Sequence, residues 1–425
     1  MDATLDARIS RFYRRWHDLE DTLGAHKGLV IDFDMAPRPM GGWGTDAFTS
    51  RATALRECIA LVDILAEFLP GAPSAGDPLG PTNPSYTYTK LAGSLAYLWA
   101  LTGERMPFAD YLAATMGIQA HRISAEALAE RRAAAVDVCA RYGIPWSPEG
   151  GAVLRGRLGR PGLDGFEAEL RAAATDEVGR LRLLLPDLPE PAYRIEVVRE
   201  DAYWCNWIDG ALDDGVVLRV NTHPRHDYMT TSARALAAHE IAGHAAHVTT
   251  LRQSVERGLV DANTLNLTVH ACDAFQMEGL AQVALHVLAD VGPTAAPLPI
   301  EHQLMESLRN LSGDRMGNAQ LDVEGGDSMS DVWADLDADL PLSGSMSLRA
   351  SLRDRSRSPL HRGYIHVYAP SKRMFSRLLE RSPADRVPIV RAVYEEMWTP
   401  AQIDRLLRGE PRDQVRLTHD PPPLA

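Results

Sequence analysis

Apolar residues recur at three- and four-residue steps along much of the chain, the pattern of amphipathic helices. It predicts helices over residues 46–69, 88–103, 124–142, 166–183, 231–253 and 264–290. Strand patterns are few, because only Tyr193–Val198 and Gly215–Val220 are short runs enriched in β-branched residues. We therefore expect a mostly α fold with a small mixed β-sheet near the middle of the chain.

Clusters of glycine and proline interrupt the helical pattern. Residues 70–85 are predicted to be a loop. The Gly/Pro cluster at residues 144–165 is the expected boundary between a helical N-terminal domain, residues 1–165, and a catalytic domain, residues 166–410. The proline-rich stretch 411–425 is predicted to be a poorly ordered tail.

Composition and charge narrow the class of protein. The chain has 425 residues, of which 45% are hydrophobic and 24% charged, as in ordinary globular proteins. Its formal net charge of −13 argues against nucleic-acid binding, which requires a basic surface. No apolar run is long enough to span a membrane, and the first residues do not resemble a secretory signal. The four cysteines are far apart, so we expect a cytoplasmic protein without disulfides.

The most informative segment is HEIAGH, which places His239, Glu240 and His244 in an H-E-x-x-x-H pattern. In the common H-E-x-x-H motif the two histidines share one helix face and bind one zinc ion. Five positions on a regular α-helix separate two side chains by about 140°, so they could not bind one ion. A π-bulge at Ile241–Gly243 would absorb the additional residue, and Gly243 would let the backbone adapt.

A third metal ligand is predicted on a second helix. Glu278 lies in an apolar stretch, where a carboxylate is costly to bury unless it is paired or bound to a metal. Two histidines and one glutamate, with an open fourth position, form the ligand set of a catalytic zinc site. We therefore predict one Zn²⁺ ion bound by His239, His244 and Glu278, with Glu240 as the base. If the helix is regular instead, His244 and His247 form the alternative metal pair.

HEIAGH followed by MEGLA, residues 277–281, resembles the gluzincin-type family of microtubule-associated tyrosine carboxypeptidase-like proteins. In that family an H-E-I-G-T-H segment precedes an E-G-L-A segment, and here Glu278 lies 39 residues after His239. The chain is also similar to the bacterial HExxPGHxxQ metallopeptidase-like group. The resemblance covers about residues 215–290, and Ala242-Gly243 replaces the family's Gly-Thr. It implies the same three ligands and base, and a gluzincin-like cleft between a helical N-terminal half and a zinc-bearing C-terminal half.

Further site residues are predicted from the segment 361–368. Related gluzincins use a late tyrosine or histidine to stabilise the oxyanion, which implies catalytic roles for Tyr364 and His366. Tyr364 and His366 would share a face of a strand, whereas Tyr364 and Tyr368 would share a face of a helix. Arg225, Arg362 and Tyr368 are the candidate substrate-binding residues, since an arginine can bind a carboxylate through two hydrogen bonds.

Two features of the central segment are candidates for substrate contact. The strand Gly215–Val220 is expected to align a peptide substrate by edge pairing, as the strand before the metal helix does in gluzincins. Trp204 and Trp207 either line a pocket or belong to the core.

The function predicted from these residues is hydrolysis of a peptide or amide bond by a zinc-dependent, carboxypeptidase-like enzyme. One alternative is a zinc enzyme acting on a small molecule or a carrier-linked intermediate. Another is a helical scaffold without catalysis. The sequence leaves the substrate and the oligomeric state open.

Overall fold

A computed structural model describes residues 3–24, 30–37, 47–69, 83–160, 163–201, 204–224, 226, 228–343 and 345–419. Helices make up most of this structure, as predicted. Within the described residues, no helix combines the length and the apolar character needed to cross a membrane.

The α-helices are numbered here in chain order. They are α1 (Ala3–Thr22), α2 (Arg51–Ala66), α3 (Pro84–Leu101), α4 (Phe108–Met116), α5 (Ala125–Arg141), α6 (Pro148–Leu158), α7 (Phe166–Leu184), α8 (Ser232–Leu236), α9 (Ala246–Glu256), α10 (Asp273–Ala289), α11 (Ile300–Gly325), α12 (Met329–Asp339), α13 (Ser345–Arg357), α14 (Pro359–Phe375), α15 (Pro383–Glu395), α16 (Pro400–Leu407) and α17 (Arg412–Arg416). A π-helix, Ala237–Ala245, joins α8 to α9, and two 3₁₀ turns lie at Ala262–Leu265 and Ser376–Glu380.

Five short strands form one mixed sheet, which confirms the predicted fold class at this level. They are β1 (Phe33–Asp34), β2 (Tyr193–Val198), β3 (Asn206–Ala211), β4 (Gly215–Asn221) and β5 (Asn266–Leu267). Their order is β2-β4-β3-β1-β5. The β2–β4 and β1–β3 pairs are parallel, and the β3–β4 and β1–β5 pairs are antiparallel.

Helix α10 lies between the π-helix and α14, and glycines allow both close approaches. A Cβ atom on Gly243 of the π-helix would lie 2.7 Å from the Cβ of Ala281 in α10. On the other side, a Cβ on Gly279 would lie 2.3 Å from the ring of Phe375 in α14. Gly279 and Ala281, which follow Glu278 in α10, therefore determine how closely the three helices of the site pack. The close backbone approach predicted for Gly243 is present.

The hydrophobic core combines segments that are distant in the sequence. One cluster joins Leu112 of α4 to Phe275 of α10 and to Trp398. Another joins Trp16 of α1 to Val269, which precedes α10. Both clusters combine residues from the two sides of position 165, and the domain boundary predicted there stays a prediction.

Three local segments differ from what the sequence pattern indicates. Helix α6 lies inside the Gly/Pro-rich stretch 144–165, where no helix was predicted. Helix α17 lies inside the predicted tail, because Arg412 and Arg416 both bind Glu396, at 3.0 and 2.6 Å. Helix α3 begins at Pro84, inside the predicted loop 70–85, and proline is well suited to the first position of a helix. Residues 70–82 of that loop lie outside the described residues.

Candidate metal centre

The π-helix carries His239, Glu240 and His244. Because its backbone hydrogen bonds close on the fifth residue, residues five positions apart return to one face. The distortion that the motif spacing requires is therefore present, and it extends over the nine residues Ala237–Ala245. The side chains of His239, Glu240 and His244 each offer a ligand atom, and these atoms lie within 4.8 Å of one another.

Glu278 of α10 faces the two imidazoles. The Nε2 atoms of His239 and His244 are 3.3 Å apart. The Oε2 atom of Glu278 lies 3.5 Å from the first and 4.0 Å from the second. A tetrahedral zinc ion with bonds of about 2.0–2.1 Å has neighbouring ligand atoms about 3.3 Å apart. Two of the three separations match this value and the third is wider, so the three residues fit a single metal ion.

The two oxygens of Glu278 have different partners. Its Oε1 atom accepts hydrogen bonds from the hydroxyls of Tyr364 and Tyr368, at 2.8 and 2.9 Å. Its Oε2 atom is buried, faces the imidazoles and has no other partner among the described residues. Buried carboxylate oxygens are normally satisfied, so this side of Glu278 is suited to a cation held between the three side chains.

Burial and neighbouring charges set the protonation of the three side chains. Burial alone would raise the pKa of Glu278, but His239 and His244 outweigh it and lower this pKa to about 2. Burial lowers the pKa of His244 to about 4. Burial would also lower the pKa of His239, but Glu240 and Glu278 raise it overall. An ionised glutamate and a neutral His244 are the forms that bind metal ions.

Glu240 lies beside this cluster, and a residue of the β-sheet forms a hydrogen bond with its side chain. The Nδ2 atom of Asn206, the first residue of β3, donates a hydrogen bond of 2.5 Å to its Oε1 atom. Glu240 is buried, which raises its pKa to about 7. Sequence reasoning missed Asn206, because a single asparagine between a cysteine and a tryptophan carries no recognisable pattern.

A cavity of about 80 Å³ opens onto the cluster. Its walls include the three predicted ligands, Glu240, both tyrosines of α14, and Asp32 and Trp207 from the sheet region. Trp207 thus lines the pocket, whereas Trp204 is not among the lining residues described. No lysine or arginine is among them either.

The strand that faces the cavity is β3, not the predicted Gly215–Val220. That segment belongs to β4, which pairs with β2 on one side and β3 on the other and has no free edge. Strand β1 pairs with β3 at Gly210 and Ala211, and the N–H of Gly210 donates a hydrogen bond to the carbonyl of Asp32. Successive residues of an antiparallel strand point their N–H and C=O groups to opposite sides. The N–H and C=O groups of Asn206 and Ile208 therefore point to the same side as those of Gly210, beyond the two residues that pair with β1.

Residues 361–368 form part of helix α14, so the strand alternative was wrong. Tyr364 and Tyr368 share the face that reaches Glu278. His366 lies about 200° from Tyr364 around the helix. It packs edge-on against Phe108 and places Nδ1 3.2 Å from Oε1 of Gln320. His366 therefore does not line the cavity, and the prediction that it is catalytic was wrong.

The structure gives no support for substrate binding by the two predicted arginines. Arg362 is buried and binds Glu324 through two hydrogen bonds of 2.8 and 2.9 Å, so its predicted substrate contact was wrong. Arg225 lies outside the described residues.

The alternative pair of His244 and His247 was also wrong, because the helix is not regular here. His247 is buried against Gln276 and Tyr394, 3.4 Å from the amide nitrogen of Gln276. Burial lowers the pKa of His247 to about 3.

Comparison with known proteins adds information about the fold alone. No protein-family model matches the chain, and no curated protein matches it. Among solved structures, it is similar to a protein from Colwellia psychrerythraea described as a "putative lipoprotein", with a TM-score of 0.51 and 12% sequence identity. The similarity covers 86% of this chain and 64% of that protein, so the chain spans less than two thirds of its neighbour.

Proposed function

We propose that this protein is a mononuclear zinc hydrolase that cleaves a peptide or amide bond. One observation carries the proposal: the π-helix brings the Nε2 atoms of His239 and His244 to 3.3 Å, with Oε2 of Glu278 beside them. A regular α-helix would separate the imidazoles, so the π-helix is the feature that lets both histidines bind one metal ion. The resemblance of HEIAGH and MEGLA to carboxypeptidase-like gluzincins supports the same chemistry.

Glu240 is the proposed base. A bound zinc ion lowers the pKa of a coordinated water to about 7 and polarises a substrate carbonyl. His239, His244 and Glu278 would hold the ion, and Glu240 is placed to take up a proton from a water molecule and to return it to a departing amine, as a positioned general acid–base does. Asn206 supports this role by holding Oε1, which leaves the other carboxylate oxygen of Glu240 available for the proton.

The tyrosines of α14 hold Glu278 in its ligand orientation. Tyr364 and Tyr368 both reach Oε1, and their hydroxyl oxygens are 2.7 Å apart. Two hydroxyl protons cannot satisfy all three of these contacts at once. One hydroxyl can therefore turn to a new acceptor while the other keeps Glu278 in place, and this supports the predicted oxyanion contact of Tyr364.

The size of the cavity favours a small substrate as the second candidate. Ligand pockets usually enclose about 300–1,000 Å³, whereas this cavity has about 80 Å³. A single small acyl or aminoacyl group is the better match to this space. A zinc enzyme acting on a small-molecule or carrier-linked amide is therefore the alternative to a peptidase. The feature that supports a peptide is the edge of β3 at Asn206 and Ile208, which no described strand pairs with on the side of β1.

Elemental analysis of the purified protein tests the metal site. We expect one zinc ion per chain, lost in His239→Ala and His244→Ala and retained in the control variant His247→Gln. Glu240→Gln should keep the metal and lose hydrolysis of amino-acid p-nitroanilides and of a tetrapeptide, whichever the wild type cleaves. A wild-type protein that takes up no transition metal would favour the non-catalytic scaffold instead.

A further inference from the structure

Asp32 lines the same cavity as the metal cluster and is held there by the sheet. Its N–H donates to the carbonyl of Leu267 at 2.9 Å, and its carbonyl accepts from the N–H of Gly210 at 3.2 Å. The residue immediately precedes β1, so its backbone position is fixed from both sides. Its side chain therefore cannot move far from the cavity without a change in the sheet.

One carboxylate oxygen of Asp32, Oδ1, is buried without a hydrogen-bond partner among the described residues. Nearby acids behave differently: Asp34 binds Arg14 at 2.8 Å, and Asp209 binds Arg219 at 2.7 Å. An isolated buried carboxylate oxygen is costly unless a donor or a cation meets it, so Asp32 is suited to a partner that no described residue provides.

The cavity is lined by acidic side chains, and no lysine or arginine is among its described lining residues. The acidic side chains are those of Asp32, Glu240 and Glu278. Burial and the charges of Asp209, Glu278 and Glu240 raise the pKa of Asp32 well above its ordinary value. A raised pKa favours the neutral carboxyl group, whereas a positively charged group beside Asp32 would favour the carboxylate. A ligand cation next to Asp32 would therefore be bound by the ionised form.

We propose that Asp32 binds an ammonium group of the substrate, carried next to the bond that is cleaved. This inference rests on the proposed hydrolase function and specifies its substrate class. An ammonium is compact enough for a cavity of about 80 Å³, and it donates hydrogen bonds that suit a fixed carboxylate. The substrate class is then a small amide or peptide with a free amine near the scissile bond, rather than one recognised through its terminal carboxylate.

Two hydroxamates of nearly equal shape test this proposal by binding alone. Alanine hydroxamate carries an ammonium group where 2-methylpropanohydroxamate carries a methyl group, and both chelate zinc. Calorimetry on the zinc-loaded wild type should show at least about tenfold tighter binding of alanine hydroxamate, the scale of one charge-assisted hydrogen bond. Asp32→Asn should remove this preference and keep the zinc content. The control Asp209→Asn changes the same charge in the same sheet and should retain it, because Arg219 also has Glu196 at 3.3 Å.

Equal affinity of the zinc-loaded wild type for the two hydroxamates would overturn the role of Asp32 and leave the metal site standing. That outcome does not depend on whether Asp32→Asn folds. A preference that persists in folded Asp32→Asn would also overturn it. A wild type that holds no metal and binds neither compound would instead reject the proposed function, and the role of Asp32 with it.

Discussion

Gly243 of the π-helix lies directly against Ala281 of α10, with no space for a side chain between them. A Cβ atom on Gly243 would lie 2.7 Å from the Cβ and 2.8 Å from the Cα of Ala281. Ala281 is three residues beyond Glu278, so this contact fixes the distance between the two elements that carry the proposed ligands.

Gly243→Ala should therefore weaken zinc binding and lower the free energy of unfolding by about 1–3 kcal/mol, the usual cost of overpacking. Zinc affinity by competition with a chelator and urea unfolding measure the two effects. Gly179→Ala is the control, because Gly179 lies in helix α7 with no atom within 4 Å of the added Cβ. It should stabilise the protein by about 0.5–1 kcal/mol, since alanine is the better helix former. Normal zinc affinity in Gly243→Ala would contradict the importance of this contact.

The hydroxyls of Tyr364 and Tyr368 should act together on metal affinity. Groups that orient a metal ligand typically contribute about 10- to 100-fold to affinity. Because either hydroxyl can hold Oε1 of Glu278, each single Phe variant should lose less than the double variant Tyr364→Phe/Tyr368→Phe. Tyr193→Phe, a half-buried position on β2, serves as the control and should bind zinc like the wild type. Single variants that each lose as much as the double variant would show that both hydroxyls are needed at once.

Arg362 should be important for stability and not for the site. Its pair with Glu324 is buried, so Arg362→Ala leaves a buried carboxylate and should cost about 3 kcal/mol of unfolding free energy. Arg105 also lies 3.2 Å from Glu324 and limits this loss. Zinc content and hydroxamate binding of the folded variant should match those of the wild type. Arg182→Ala, which breaks an exposed pair with Glu190, should change stability by less than about 1 kcal/mol. Loss of hydroxamate affinity in folded Arg362→Ala would restore its predicted substrate role.

His366 should make the protein less stable in acid. Burial, with the charges of Arg355 and Arg373, lowers its pKa to about 3 from an ordinary value near 6.5. Between these values the unfolded chain binds a proton that the folded protein does not, so stability falls as pH decreases from about 6.5 toward 3. Each pH unit in this range costs about 1.4 kcal/mol for one such group.

His366→Asn should reduce this acid dependence while keeping a donor toward Gln320. Urea unfolding at pH 7 and at pH 5 measures the change, which should be about 2 kcal/mol smaller in the variant. The variant is also expected to be less stable at pH 7, because it loses the ring contact with Phe108. Comparing the difference between the two pH values removes that constant loss. Identical pH dependence in the two proteins would show that His366 is protonated in the folded state.

Strongly periodic segments were predictable, and segments decided by distant contacts were not. The helix predicted over residues 124–142 is α5, Ala125–Arg141, because its alanine-rich sequence favours a helix by itself. Helix α6 was missed because Pro148, Gly150 and Gly151 resemble a loop. A Cβ on Gly150 would lie 1.9 Å from the carbonyl oxygen of Pro145, so this glycine is needed for packing rather than for a turn.

The candidate site divides in the same way. His239, His244 and Glu278 could be predicted because their motif spacing implies one shared ion and one specific helix distortion. Asp32 and Asn206 could not, since their places in the site depend on the sheet and on partners far away in the sequence. The segment 361–368 was ambiguous between strand and helix, and this ambiguity decided whether His366 or Tyr368 would accompany Tyr364.

The π-helix also determines how the chain can change its length at this point. Removing Ala242 would leave H-E-I-G-H, the common motif with its histidines four positions apart, and a regular α-helix could then bring both imidazoles to one ion. Because the π-helix already absorbs the additional residue, this deletion would keep the register of the helical segments on either side. Arg234 of α8 would then keep its 2.6 Å contact with Glu177 of α7. A one-residue deletion in a regular helix would instead rotate one flank by about 100° relative to the other.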